Sequence, residues 1–297
     1  MPRVPLPHEI AARPFSTSEA TSLGIGRERL RGADLERPFR GVRLPPDFPA
    51  THLNRCLALQ ARLPLHAYFS GVTAALIMGV PLPARLEGEL RLHVSVARPR
   101  VAPTGRNIVG HVSSSAESEV WRGARVSPPS RMWCELAREL DLADLVAAGE
   151  FLIHHNLPIV SAAELASAVN AWGRRAGCAL LRESLPMLDD RSESRAESRL
   201  RVVLLLANIT GLKVNMWIQT STGFRYRGDL VFERERVIVE YQSRFHDTTK
   251  AFEADMTRKS RLEADGWHVF EVNMRDLDDP AELVARLRGV LAVRARA

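Results

Sequence analysis

Two runs rich in β-branched and aromatic residues, 226–232 (YRGDLVF) and 237–242 (VIVEYQ), stand either side of four charged residues, Glu233, Arg234, Glu235 and Arg236. No other pattern constrains the chain as much. Such runs read as strands, and the charged tetrapeptide reads as the turn of a hairpin. Side chains alternate along a strand, so turn length decides which residues share a face. A four-residue turn pairs Phe232 with Val237 and sets Asp229 opposite Glu240. One face then carries Leu230, Phe232, Val237, Val239 and Tyr241 toward a core. The other carries Asp229, Glu240 and Gln242 beside Val231 and Ile238. Directly opposed side chains have Cβ atoms about 5 Å apart, and like charges there destabilise a hairpin. A divalent cation between the two acids would relieve that repulsion. Hard ions such as Mg²⁺ take one or two carboxylates plus water and phosphate oxygens. Two other readings remain open. A three-residue turn would place the acids on opposite faces, and the whole could be an exposed edge hairpin with scattered charge.

The flanking segments bear on that choice. Residues 252–265 (FEADMTRKSRLEAD) have helix composition and end at Gly266, a suitable C′ residue. Asp255, Arg258 and Leu262 share one helical face. Residues 267–273 (WHVFEVN) read as a further strand. Upstream, Glu197 opens a helix with apolar positions at Leu200, Val203, Leu204 and Ala207, and lies one turn before Leu200. A carboxylate on such a stripe is costly unless paired or metal-bound. The plainer reading is a first-turn Glu favoured by the helix dipole.

In order, these residues are a helix Glu, a strand Asp, a strand Glu-Tyr-Gln, a loop His and a helix Asp with Arg, then Gly-Trp and a strand. The matching text is SESRAESRLR (192–201), RGDLVF (227–232), VIVEYQSRFH (237–246) and DMTRKSRLEADGWHVFEV (255–272). This order resembles the Vsr-like branch of the PD-(D/E)xK endonuclease superfamily. The resemblance implies a restriction-endonuclease-like α/β/α core and Mg²⁺-dependent (or Mn²⁺-dependent) phosphodiester cleavage. Carried over by position, Asp229 and Glu240 would hold the metal, while Glu197 and Asp255 would position water or a second ion. His246 would serve as general base or protonate the leaving oxygen, and Arg258 would stabilise charge on the phosphorane. Gln242 departs from the pattern, since the superfamily usually has Lys there. An amide can ligate weakly or orient water, but it carries no charge. Lys250 or Lys259 could supply a displaced positive charge.

The N-terminal segment has its own outline. Ser16, Thr17, Ser18 and Glu19 offer an N-cap for a short helix over 19–23. A turn at Gly24 and Gly26 leads into a second helix over 27–35, which Gly32 weakens. Residues 36–44 alternate apolar and basic, like a strand pair forming a wing. Short helices, a Gly turn and a basic hairpin outline a winged helix-turn-helix. Arg27, Arg29 and Arg31 would then meet a groove or phosphates, and Arg37, Arg40 and Arg43 would be wing contacts. The alternative is a scaffold whose arginines are ordinary surface. With AYFSGVTAALIMGVPLP (67–83), the segment is similar to the N-terminal region of AbiEi-type antitoxins. That last stretch reads as a buried helix after Ser70 that Pro81 ends.

Between these parts, alternation over 90–96 and 107–112 predicts strands with His93 and His111 on the sheet surface. Helices follow over 131–140, 141–155, 161–177 and 178–187, with His154 and His155 compensating a helix dipole. The net charge of +6, carried almost wholly by arginine, suits phosphate partners. Codon usage in a GC-rich genome explains it equally. Three scattered cysteines, Cys56, Cys134 and Cys178, fit reduced thiols in a cytoplasmic protein. No run is apolar and long enough to span a membrane, and the first residues lack a signal-peptide layout.

The expectation is therefore an α+β multidomain chain. It has a winged-helix-like unit over 1–60, an α+β middle domain with a helical linker over 61–188, and a Vsr-like nuclease domain over 189–297. The expected function is a Mg²⁺-dependent DNA endonuclease in phage defence or DNA repair, with RNA open as a substrate. The alternative is a non-cleaving DNA-binding regulator of antitoxin type that retains a degenerate nuclease fold.

Overall fold

The computed structural model describes residues 5–45, 48–49, 51–242 and 249–296. Its first elements are short: α1 (His8–Ala11), β1 (Phe15–Ser16), α2 (Thr17–Ser22) and α3 (Arg27–Leu30). The Ser16 hydroxyl accepts the Glu19 N–H at 3.0 Å and so caps α2. The helix expected over 27–35 stops at Leu30. Arg31 and Gly32 donate to the carbonyls three residues back, which tightens the chain out of the α ladder. The expected wing is reduced to one antiparallel bridge, Glu36 to Leu44. β2 (Val42–Arg43) pairs instead with β1, in antiparallel register Phe15 to Arg43. Ile10, Phe15, Ala20, Ile25, Leu30 and Leu35 form the core beneath.

The next elements are α4 (His52–Gln60), β3 (Tyr68–Phe69), α5 (Gly71–Met78), α6 (Ala84–Glu87), β4 (Leu92–Ala97), β5 (Ile108–Ser113), β6 (Glu119–Trp121), β7 (Ala124–Val126) and α7 (Pro129–Leu136). The strands make a mixed sheet in the order β5-β4-β3-β7-β6. α5 is apolar on nearly all sides and correspondingly buried. It ends at Gly79, in the left-handed region at φ 82°, two residues before the Pro81 expected to stop it.

One expectation here needs correction. His93 is not on the sheet surface: it is buried, with its Nδ1 3.1 Å from Nε2 of His111. The reason is topological. β4 lies inside the sheet, between β5 and β3, and all six of its residues are buried. Burial, and then the neighbouring His111, push the His93 imidazole down to about 4.

The chain divides into two compact units, Met1–Leu136 and Ala137–Ala297. The boundary expected at residue 60 falls inside the first, and the helices between residues 142 and 184 lie in the second unit with the C-terminal sheet. That second unit opens with α8 (Leu142–Ile153), α9 (Ala162–Trp172), α10 (Cys178–Ser184) and a 3₁₀ turn, Leu185–Met187. It continues with α11 (Arg195–Leu206), β8 (Lys213–Gln219), β9 (Arg225–Phe232), β10 (Val237–Tyr241), α12 (Thr249–Ala264), β11 (His268–Val272), α13 (Met274–Asp278) and α14 (Pro280–Arg294). The sheet order is β11-β10-β9-β8. β8, β9 and β10 are antiparallel neighbours, and α12 carries the crossover to the parallel β11.

The charged tetrapeptide is the hairpin turn, since Phe232 faces Val237 and Val239 faces Leu230. Leu230, Phe232, Val237 and Val239 pack with Leu200 and Leu204 of α11 and with Leu283 and Leu287 of α14. Val231 and Ile238 turn the other way and pack with Ile218 and with Leu262 of α12. Ion pairs tie α11 to α8: Arg201 to Glu150, and Arg195 and Arg199 to Asp144. The architecture is α+β, with a mixed sheet in each unit. No described helix is long and apolar enough to cross a membrane.

Candidate active site at the break in the C-terminal sheet

Register along β8 and β9 is regular on both sides of one point. Val214 faces Leu230, and Met216 faces Gly228. Between them stand Asn215 and Asp229. A Cβ on Gly228 would lie 2.6 Å from the Ile238 side chain and 2.9 Å from that of Val231, so Gly228 faces the α12 side. Leu230, two residues on, faces the α11 side. Residues two apart in a regular strand face the same way. The alternation therefore breaks at Asp229. Across from it, Asn215 adopts a left-handed backbone with φ 49°, a conformation Asn tolerates better than most residues.

The break brings Asp229 within electrostatic reach of Glu197 and Glu240. Asp229 Oδ2 accepts the Tyr241 N–H at 2.9 Å, so a side chain serves where a strand carbonyl ordinarily would. Glu197 lies in the first turn of α11, and its N–H is capped by the Ser194 hydroxyl at 3.1 Å. One of its oxygens accepts the Glu193 N–H at 3.1 Å and the Asn215 side-chain amide at 2.9 Å. The same amide donates to the Arg191 carbonyl at 2.7 Å. Burial first, then the negative charge of Glu197, with that of Glu240 behind it, push Asp229 up to about 7.

Glu240 is buried, and both its oxygens are taken by Arg258, at 2.6 Å and 2.5 Å. Arg258 also donates to Asp255 at 2.9 Å, and Lys259 reaches Asp255 at 2.6 Å and pairs with Glu271 as well. Burial works against ionising Asp255, but Lys259 and Arg258 outweigh it and hold the carboxyl below its usual range. Lys259 is thus engaged with two acids rather than standing in for the charge missing at Gln242. Gln242 is half-buried and extends the sheet, its N–H donating to Val272 at 2.7 Å. His246 lies outside the described residues.

Among the described residues, no group of three or more His, Cys, Asp or Glu side chains is placed to hold a metal ion. Glu240 and Asp255 are turned onto Arg258, and Glu197 onto Asn215. The donor chemistry nonetheless fits a hard divalent cation. Asp229 is a half-buried acid whose ionised form is disfavoured by burial and by two nearby carboxylates, the environment a cation relieves. Asp229 with Glu197 or Glu240 could hold Mg²⁺ once Glu240 releases Arg258.

In the first unit, Arg27, Arg31, Arg37 and Arg40 are exposed. Arg31 pairs with Glu28, and Arg37 donates to the Arg31 carbonyl at 2.7 Å. Arg29 and Arg43 are tied into the fold. Arg29 forks onto Asp34 at 3.1 Å and 2.8 Å, and Arg43 donates to the carbonyls of Leu30 at 2.6 Å and Val42 at 2.8 Å.

Sequence reasoning missed Asn215 and the strand that carries it, Lys213–Gln219. The available signal was an Asn inside the run KVNMWIQ, a residue that favours turns and left-handed backbone over strand interiors.

No family model matches the chain, and no solved structure matches it. Two relatives from Mycobacterium tuberculosis, described as uncharacterized protein Rv2248 (strain H37Rv) and uncharacterized protein MT2308 (strain CDC 1551 / Oshkosh), are each 26% identical over 237 residues. The match covers 79% of this chain and 85% of each relative. It is longer than either compact unit, so the likeness runs across both.

Proposed function

We propose that the second unit is a divalent-metal-dependent endonuclease of the Vsr-like PD-(D/E)xK type, acting on DNA. The observation that carries this reading is the position of Asp229. It sits at the break in alternation along β9, where the charges of both Glu197 and Glu240 act on it. The element order α11-β8-β9-β10-α12-β11 agrees with it.

Mg²⁺, when bound, supplies charge stabilisation at the phosphate and an activated water. The chain's own residues do the rest. Asp229 and Glu240 serve as its ligands, and Glu197, oriented by Asn215, positions the water. Once Glu240 turns away, the Arg258 guanidinium is held by Asp255 alone and can face phosphate oxygens. His246 is the proposed proton acceptor. In the first unit, the exposed Arg27, Arg31, Arg37 and Arg40 supply sequence-independent attraction to the DNA backbone.

A second reading rests on two specific observations. Gln242 is uncharged, and Glu240 already has a full counterion in Arg258. A chain of this kind could bind DNA without cutting it, as a regulator of antitoxin type. Supercoiled plasmid incubated with Mg²⁺, Mn²⁺ or EDTA, beside Glu240→Ala and Asp229→Asn proteins, separates the two. Nicking that needs metal and both acids supports the endonuclease. Plasmid that is shifted on a gel but stays intact in every metal supports the regulator.

A further inference from the structure

An exposed aromatic group lies on the outer strand of the second unit's sheet. Trp217, on the edge strand β8, keeps 56% of its surface exposed. It stands opposite Arg227 in register, and Gln219 stands opposite Arg225. The Arg225 and Arg227 guanidinium carbons lie 5.0 Å and 5.9 Å from the centre of the indole. Met216, Ile218 and Tyr226 pack toward α12, so Trp217 and both arginines face the opposite side. Arg227 pairs with Glu193, next to the backbone N–H that Glu197 accepts. Arg225 is exposed and has no ion-pair partner among the described residues. Arg227 is two residues from Asp229, about 7 Å along the strand.

A buried tryptophan is core, and one edged by acids is ordinary surface. This one is a half-exposed indole with two guanidinium groups within 5.9 Å of its ring centre, on the same strand pair as Asp229. Phosphate oxygens complement the guanidinium groups, and a base complements the ring. Base-paired nucleic acid hides its π-faces within the stack, whereas unpaired nucleotides expose them.

We infer that Trp217, with Arg225 and Arg227, is a stacking platform for an unpaired nucleic-acid strand leading to the carboxylate site. This deepens the nuclease reading and rests on it for the nature of the substrate. The platform receives a base on the indole, while Arg225 contacts the adjoining phosphate.

The test uses the full chain in EDTA, so binding is read without cleavage. The probes are a fluorescein-labelled single-stranded oligothymidylate and a duplex of equal length, followed by anisotropy. The parent is expected to bind the single strand more tightly than the duplex. Trp217→Ala should weaken single-strand binding about 10-fold, and Trp217→Phe should keep most of it. Arg225→Gln should weaken it and make the salt dependence shallower. Three results overturn the inference: unchanged single-strand affinity in Trp217→Ala, equal losses on both probes, or a parent dimer that this substitution dissociates in sedimentation. Plasmid cleavage in Mg²⁺ reports separately on the nuclease reading. Stacking without cleavage leaves the platform standing and sinks the enzyme, and cleavage without stacking does the reverse.

Discussion

Arg258 grips Glu240 with two arms, at 2.6 Å and 2.5 Å, and holds Asp255 with the same guanidinium at 2.9 Å. The Glu240 carboxylate chiefly, against the opposing effect of burial, keeps the guanidinium more firmly protonated than usual. A strand acid that sequence logic assigns to a metal thus has a built-in cation on the neighbouring helix. A metal ion and Arg258 compete for the same oxygens.

That competition is measurable. Arg258→Met strands Glu240 in a buried position, a change that costs about 3 kcal/mol when one partner of a buried pair is removed. Urea denaturation should show the loss, and adding Glu240→Gln should recover most of it. Mg²⁺ should raise the denaturation midpoint of Arg258→Met more than that of the parent. Equal stability in parent and single variant would mean that the fork contributes nothing.

Asp229 should make stability depend on pH. Unfolded, it titrates near its ordinary 3.8; folded, it titrates at about 7. Below pH 4 both states hold the proton, and the group contributes no difference. Between about 4 and 7 only the unfolded chain releases it, so stability falls as pH rises. Above 7 the loss is complete, on the order of 4 kcal/mol. In EDTA, Asp229→Asn should lack this slope and melt above the parent at pH 8. Parallel melting profiles for the two proteins from pH 4 to 8 would contradict the assignment.

Asn215 should act through Glu197. Asn215→Gly keeps the left-handed backbone but removes the amide, a loss of about 1 kcal/mol. Asn215→Ala adds backbone strain of about 1 kcal/mol more. Stability should therefore separate the two variants. Plasmid nicking should not, falling roughly 10-fold in each with little change in DNA affinity. That size corresponds to about 1.4 kcal/mol of lost positioning. If nicking instead tracks stability, Asn215 is structural only.

The N-terminal arginines should fall into two classes. Replacing the exposed Arg27, Arg31, Arg37 and Arg40 with Gln should lower DNA affinity. It should also reduce the salt slope by up to about 0.9 for each lost phosphate contact. Arg29→Ala and Arg43→Ala should instead lower the melting temperature, because both side chains brace the fold. Salt-titrated binding and thermal melts of the same proteins check both halves. Deleting residues 1–60 is a poorer test, since residue 60 lies within a compact unit.

Several features were legible in the sequence because they are local. Turn length and the period of two fixed the hairpin register, Phe232 on Val237, and the division of Leu230, Phe232, Val237 and Val239 from Val231 and Ile238. Helical periodicity located α11 and α12 to within a few residues, and hydroxyl chemistry placed the N-cap of α2 among residues 16–18, of which the structure uses Ser16. The tertiary structure alone decided the rest. The break at Asp229 is visible only in the packing, where Gly228 lies against Ile238 on the next strand, with no room for a Cβ, while Leu230 turns to the opposite face. The fork on Glu240 needs α12 laid across the sheet, and Asn215 meets Glu197 only because α11 begins beside β8. His93 is buried because its strand lies inside the sheet, which alternation along one strand does not encode. A strand's own residues set its two faces; which face is covered, and by which charge, is set by segments distant in the chain.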